Sequence, residues 1–389
     1  MKKVMFYCHV FYPQNTGYSN AFQNLINSIL DNDLDLEVTV MTPFPLPDGE
    51  AELARDRLKI VRLFPKIKIR KIRYFINDYF YAKKVSEKFK NENYDFLIVE
   101  TFDQAVFINS LDDYVYEKMA VRIHSTNETE YTFFNNKLNC KLRKYLIKNK
   151  ISKKLKWVLS TNTFHIDFAK RYYFDENLIN IGDKSFFTLP NAVNSFFPDD
   201  FSVSEKVKIF SLGRMDYLGN NQKGFTDFIY ALKLLPKSVL DKFEIKIVGK
   251  GDMRSSLINL CENIDNVTFI EEMSHKEVIS TLKSSDVVIL PSRYEGLSMF
   301  ALEGLATGNA CLFSKTGGLI DMVDDNGIFF EPQNIESIVS ALTDLANLDS
   351  KSLIEMKKKS IDICEKKFSS KVVAEKFRTI FDVIVTGNR

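Results

Sequence analysis

The chain is 389 residues long and 45% hydrophobic, with a formal net charge of only +2. That length exceeds one ordinary core and suits two domains of about 190 residues each, and no apolar run approaches the roughly 18 residues that span a bilayer. Five scattered cysteines with no CxxC pair argue for a reducing compartment, the cytoplasm, and against both a disulfide framework and a zinc site.

In chain order, Val4–Cys8 is a short apolar run that predicts the first strand, and the opening MKKVMFYCHVFYP lacks the small-residue cleavage site of a signal peptide. A polar loop over His9–Gly17 and a helix over Tyr18–Leu30 follow. Gly17 therefore sits at a helix N-terminus, where backbone approaches a phosphate closely. Asp31-Asn32-Asp33 and Asp33-Leu34-Asp35 both spell DxD, but they follow a helix where a metal-binding DxD follows a buried strand. They read as a solvated connector, and no metal is expected. Leu36–Met41, Leu58–Leu63, Phe96–Val99, Met119–Ile123 and Trp157–Ser160 predict further strands, with a helix ending near Lys90. His124 falls at the carboxyl end of one of these strands, where catalytic groups collect. His9, Asn127 and Glu128 are candidates for the same gap.

The turn-rich SFFPDDFSVSEK that starts at Ser195 places an interdomain linker at 196–206, between a first domain at 1–195 and a second at 207–368. The second domain opens with a strand at Lys208–Leu212, then Gly213-Arg214, a loop of eight residues, Lys223-Gly224 and a helix to Leu235. Glu244–Val248 and the turn Gly249-Lys250-Gly251 come next, then a helix at Met253–Cys261, a strand at Val267–Ile270 and a helix at His275–Lys283. His275 reads as an exposed helix-start residue and not as a ligand. Val287–Leu290 is a buried strand that Pro291-Ser292 ends. Glu295 and Gly296 occupy the turn after it, Ser298 caps a helix over Met299–Thr307, and Gly308 stops that helix. Ala310–Phe313, the Thr316-Gly317-Gly318 loop, Ile328–Phe330, a helix at Ile335–Leu348 and a basic amphipathic tail at Ser352–Val385 complete the chain. Strand, loop and helix alternate throughout, which predicts an α/β protein whose parallel sheets hold ligands outside their carboxyl ends.

Glu295 and Glu303 stand eight positions apart, across a strand end, a Gly-rich turn and a helix N-terminus that holds an anion through its free N–H groups. Glu295-Gly296, Leu302-Glu303-Gly304-Leu305-Ala306, Gly308 and Gly317-Gly318 together resemble the E-x7-E signature of the family 4 retaining glycosyltransferases. Leu189-Pro190-Asn191-Ala192-Val193 resembles that family's Pro-Asn-Gly-Val element, with Asn194 in place of the usual aspartate. The resemblance implies a GT-B fold of two facing Rossmann-like domains, closing about a hinge near residue 200, with 369–389 as a final helix that crosses back to the first domain.

It also implies roles. Glu303 would hold the ribose hydroxyls of a nucleotide-sugar donor and Glu295 a hydroxyl of its sugar. Arg214 and Lys223 match the family's diphosphate-binding pair. A leaving diphosphate gathers negative charge, which fixed cations and N–H donors stabilise. The N–H groups of Gly296, Leu297, Ser298 and Met299 would support that anion, Gly249 would lie near the base, and His124 would stand near donor sugar and acceptor. The family loop that Gly17 matches usually carries two adjacent glycines, and here there is one. Retention, without a protein nucleophile and without a metal or other cofactor, is likewise implied by the family.

Charge is unevenly placed. Arg55–Lys90 holds thirteen Lys or Arg against three acidic residues, and Lys141–Lys156 holds eight basic residues and no acidic one. Both stretches carry Ile, Leu, Phe and Tyr, so an anionic membrane surface is a candidate partner, set against a plainly solvated basic face. No nucleic-acid motif accompanies them. The expectation is a glycosyltransferase of the cytoplasm or the inner membrane face. Its acceptor would be a glycan or polyprenyl-pyrophosphate-linked species, in O-antigen or capsule synthesis. A sugar-nucleotide epimerase that consumes donor without acceptor, and a non-catalytic membrane-associated binding protein, are the alternatives.

Overall fold

The computed structural model describes residues 1–14, 16–33, 35–65, 73–125, 137–174, 185–198 and 200–386 of the chain. The chain divides into two units, Met1–Ala192 with Ser370–Arg389, and Val193–Ser369.

In the first unit, β1 (Lys2–Tyr7), β2 (Leu36–Thr42), β3 (Leu58–Arg62), β4 (Phe96–Glu100), β5 (Met119–Ile123), β6 (Trp157–Ser160) and β7 (Ser185–Thr188) form one sheet in the order β3-β2-β1-β4-β5-β6-β7. Every pairing is parallel. Strands buried on both faces read as continuous apolar runs, and β4 (FLIVE) and β5 (MAVRI) are buried at every position. Each face is covered by its own apolar layer. On one side Tyr81, Ala82, Val85 and Phe89 of α2 (Arg73–Asn91) pack against Leu97, Val99 and Val121. On the other, Phe22, Leu25, Ile26 and Ile29 of α1 (Gly17–Asn32) join Val4, Phe6 and Ile98. Helices α3 (Lys137–Leu146) and α4 (Thr163–Ala169) are the longer of the remaining helices from this part of the chain.

In the second unit, β8 (Val207–Leu212), β9 (Phe243–Val248), β10 (Val267–Ile270), β11 (Val287–Leu290), β12 (Ala310–Ser314) and β13 (Gly327–Phe330) form a sheet in the order β10-β9-β8-β11-β12-β13, again parallel throughout. Its longer helices are α5 (Tyr217–Lys223), α6 (Phe225–Leu234), α7 (Arg254–Leu260), α8 (His275–Lys283), α9 (Met299–Ala306), α10 (Ile335–Ala346) and α11 (Ser350–Lys367). Phe225, Phe228 and Ile229 of α6 with Leu342 of α10 fill one face of the sheet, and Leu302 and Leu305 of α9 with Ile363 of α11 fill the other.

The basic tail is two helices. After α11 the chain leaves the second unit, and α12 (Ser370–Thr386) inserts Val373, Phe377, Ile380, Phe381 and Ile384 into the α1 side of the first core. This return reaches Asp33 of the DxD connector, while Asp31, Asn32 and Asp35 stay exposed as a solvated connector would. Asp33 accepts from Arg378 of α12 at 3.0 Å and is only 14% exposed, so it is an interhelical anchor and not a solvated residue. Asp31 is held by Arg55.

Three further details differ from the sequence reading. The stretch taken as a linker is bound to the second unit: Ser202 O accepts from Lys357 at 2.8 Å, Ser204 N donates to Asp286, and Val203 lies on that core. The buried Lys357–Asp286 pair explains the anchorage, because a charge pair removed from water recruits backbone groups for its remaining valences. The loop expected between Arg214 and Lys223 is α5, opened by Asp216 accepting from Gly219 N at 2.6 Å and closed by Gly224 in the left-handed region. Its YLGNNQK sequence has no apolar periodicity to announce it. Strand β7, SFFT, has no counterpart in the sequence reading.

Candidate active site

In each sheet the strand order reverses beside the first strand, between β1 and β4 and between β8 and β11. Crevices outside the carboxyl ends of strands at such points are where ligands bind in open α/β sheets. The sequence-derived residues gather at those ends.

At the β8/β11 point, Lys223 Nζ donates to Glu295 Oε2 at 2.6 Å, and Ser292 Oγ donates to the same oxygen at 3.1 Å. Both partners of this ion pair are largely shielded from water, at 16% and 8% exposure. The turn bearing Glu295 is held from three sides. Arg293 makes a bidentate pair with Asp227 of α6 at 2.9 and 2.8 Å and donates to Asn221 at 2.7 Å. Ser314 Oγ donates to Ser292 O. Gly318 N donates to Gly296 O at 3.0 Å. Gly317 lies beneath the turn at φ +52, and a Cβ there would come within 1.8 Å of Glu295 O, so only glycine fits.

Arg214 follows β8 and is the most open of the group, 64% exposed, with Asp216 at 3.5 Å. The stem of Lys223 lies directly against Gly213, the residue before Arg214. Gly249 is required by packing: a Cβ on it would meet Gly213 O at 2.0 Å. Ser298 caps α9, accepting from Ala301 N at 3.4 Å. The Leu297 side chain is buried in the core and Met299 packs against it, so these two residues offer a ligand their backbone.

Glu303, one turn into α9, has its carboxyl in contact with His275 of α8, with Nε2 to Oε1 at 2.9 Å. Burial raises this carboxyl above its ordinary range, and His275 pulls in the other direction. His275 is indeed exposed, at 60%, yet it is the partner of a site glutamate, which its position at a helix start did not reveal.

In the first unit His124 follows β5. Its Nε2 contacts Glu100 Oε2 and lies 3.2 Å from Arg122 Nη1. Glu100 and Arg122 are register partners on β4 and β5, fully buried, and paired at 3.2 Å. The guanidinium is pinned further by Leu189 O at 3.1 Å and Asn191 Oδ1 at 2.9 Å. Burial pushes the Glu100 carboxyl up, but Arg122 and His124 outweigh it and hold the group below its ordinary value. Burial lowers the His124 imidazole, with Glu100 opposing and Arg122 reinforcing that shift. Thr101, next to Glu100, holds a positive φ of 85, a strained backbone of the kind that clusters at functional sites.

The start of α1 meets this group. Tyr18 packs edge-on to His124 at 5.0 Å between centroids, and its hydroxyl donates to Glu100 O at 3.5 Å. Gly17 opens α1 with free space where a side chain would be. His9 lies at the end of β1 with a buried Nδ1 that has no partner among the described residues. Asn127 and Glu128 lie outside the described residues.

Each unit thus assembles its own group: Lys223 with Glu295 beside Arg214, and Glu303 with His275, in one; His124 with Glu100, Arg122 and Tyr18 in the other. Glu100, Arg122, His275, Arg293 and Asp227 were missed. Two of them left a trace, a Glu and an Arg at the ends of otherwise apolar parallel strands, since unpaired charges are almost never fully buried. Among the described residues no group of three or more His, Cys, Asp or Glu side chains is arranged to hold a metal ion.

Residues 195–362 match the family model of glycosyl transferases group 1. Over 306 residues the chain is 27% identical to an uncharacterized glycosyltransferase of Haemophilus influenzae, with 77% of this chain and 80% of that one covered. It spans only about a third of the length of two Methanocaldococcus jannaschii glycosyltransferases, one of which is 36% identical over 141 residues. Among solved structures it resembles sucrose-phosphate synthase of Thermosynechococcus elongatus, with a TM-score of 0.76, 14% identity and 100% of both chains covered. It also resembles Anabaena Alr3699/HepE in complex with UDP, with a TM-score of 0.71, 14% identity, and 98% of this chain and 100% of that one covered. The chain therefore has the α/β GT-B fold of two parallel-sheet Rossmann-like units, and its second unit matches the glycosyl transferases group 1.

Proposed function

We propose that this chain transfers a sugar from a nucleoside-diphosphate sugar to a glycan or polyprenyl-pyrophosphate-linked acceptor, with retention of anomeric configuration, in cell-surface polysaccharide synthesis. The observation that carries the reading is the Lys223–Glu295 pair beside Arg214 at the β8/β11 switch point. In this reading a diphosphate draws on Lys223 and Arg214 and on the free N–H groups at the start of α9, and Glu295 turns to a hydroxyl of the donor sugar. Fixed cations and N–H dipoles stabilise the charge that develops on the leaving group and need no metal for it. Glu303 takes the ribose, and His124 serves the reacting end. The resemblance to Alr3699/HepE, whose structure contains UDP, supports a nucleotide-sugar donor. The basic stretches of the first unit suit an anionic membrane surface. Among the described residues no helix is long and apolar enough to cross a membrane.

The test is thermal stability against UDP, GDP, ADP, CDP and TDP, with and without EDTA, on wild type and Glu303→Ala. A ligand at a hundred times its dissociation constant stabilises by about 2.7 kcal/mol. One diphosphate should raise the melting temperature of wild type regardless of EDTA and leave the variant unmoved. If no nucleotide acts, the donor reading fails. Once donor and acceptor are known, the anomeric proton coupling of the product reports retention or inversion directly.

A further inference from the structure

His275 is the first residue of α8, and its place is fixed by a capping box. Ser274 accepts from Glu277 N at 3.3 Å, and Glu277 Oε2 accepts from Ser274 N at 2.7 Å. One ring edge faces Phe196, with centroids 6.3 Å apart. Its Nε2 meets one oxygen of Glu303 and leaves the other alone: among the described residues Oε1 is held at 2.9 Å and Oε2 has no partner. When Glu303 is ionised its carboxylate only accepts, and Nε2 is then the donor. The result is a mostly buried carboxylate, 14% exposed, with a fixed orientation and one oxygen left to accept from a ligand hydroxyl.

We infer that His275 is a positioning residue for the nucleotide ribose: it anchors Oε1 of Glu303 so that Oε2 is presented to the ribose hydroxyls. The inference rests on the reading of Glu303 as the ribose-binding carboxylate. The electrostatics agree with the geometry. Burial drives Glu303 toward its neutral form, and His275 is the group that opposes burial. No other titratable side chain on the elements packed against α9, namely α8, α11, β11, β12 and the short helical turn Gly317–Met322 with its Asp321, contributes to the shift. Without His275 the carboxyl is protonated at higher pH, and a protonated carboxyl gives up half of its capacity to accept.

The experiment is calorimetric titration with whichever of UDP, GDP, ADP, CDP or TDP binds, from about pH 5 to about pH 8, on wild type, His275→Ala, His275→Gln and Glu303→Ala. His275→Ala should bind about tenfold more weakly near neutrality, and its affinity should fall on acidification at a higher pH than that of wild type. His275→Gln, which keeps a neutral N–H donor, should recover much of the affinity at the alkaline end and less of the pH profile. The inference is overturned if His275→Ala matches wild type at every pH. It is equally overturned if a loss is independent of pH, is not rescued by glutamine and accompanies a lower melting temperature, since that marks a purely structural role. Glu303→Ala separates the two levels. If it binds as wild type does, or if no nucleotide binds wild type, the ribose reading falls and this inference with it. If Glu303→Ala is silent and His275→Ala is normal, only the present inference falls.

Discussion

Glu303 and Glu100 are both buried glutamates, and burial pushes both carboxyls up, but beside Glu100 the charges of Arg122 and His124 win. The consequences for stability have opposite signs. Glu303 binds its proton more tightly folded than unfolded, so its charge costs stability at neutral pH, and that cost vanishes below the ordinary glutamate value near 4.3. Glu303→Gln is therefore expected to raise the melting temperature of the second unit at neutral pH and to have no such effect near pH 4. It should also abolish nucleotide binding; a drop in melting temperature at neutral pH would contradict this account. Glu100 holds its proton less tightly folded than unfolded. It contributes stability above the unfolded value, and that contribution is lost as pH falls through its lower folded value. Glu100→Gln strands the buried Arg122 guanidinium without a counter-charge, a loss of about 3–5 kcal/mol, visible as a lower urea midpoint of the first unit at neutral pH. The same substitution should move the His124 imidazole titration, followed by NMR, to lower pH, because Glu100 raises it more than Asp103, the other charge acting in that direction.

Between strand and helix, short loops set the geometry. The Glu295 turn owes its shape to Gly317, whose positive φ and missing Cβ let the Thr316–Gly318 loop pass under Glu295 O. Gly317→Ala is expected to displace that turn, weaken nucleotide binding by more than about tenfold and cost the unit about 1–3 kcal/mol, which paired calorimetric and thermal measurements would show. Elements of this kind were legible to different degrees. Parallel strands such as Val287–Leu290 and Met119–Ile123 were read to the residue, because burial on both faces selects unbroken apolar runs. Glu295, Glu303, Arg214 and Lys223 stand out in the sequence because each lies near a glycine or strand end and matches a motif of the family that the chain resembles. The Glu100–Arg122 pair escaped because its partners are 22 residues apart in sequence and meet only once β4 and β5 are in register. The His275–Glu303 contact spans 28 residues and depends on helix packing, which has no local signature.

At the scale of the whole molecule, each unit owns a sheet between two apolar layers, so each has what cooperative unfolding requires. A nucleotide held by Lys223, Arg214 and Glu303 is expected to shift only the transition of the second unit in calorimetry, leaving that of the first in place. The first unit is vulnerable elsewhere. Phe381 on α12 is fully buried, edge-on to Phe96 at 6.1 Å, and Phe381→Ala should cost that unit about 3–5 kcal/mol while the nucleotide response of the second survives. The placement of α12 also bears on biosynthesis. A ribosome makes the seven strands of the first sheet long before the helix that seals their α1 face, and the entire second unit emerges in between. Nascent chains therefore carry an open apolar trough from the completion of β7 until Ser370 emerges, one that ribosome-associated chaperones would have to shield. A premature stop after the second unit would yield a product with a complete second unit and an unsealed, aggregation-prone first one, a form that cellular proteases would be expected to clear.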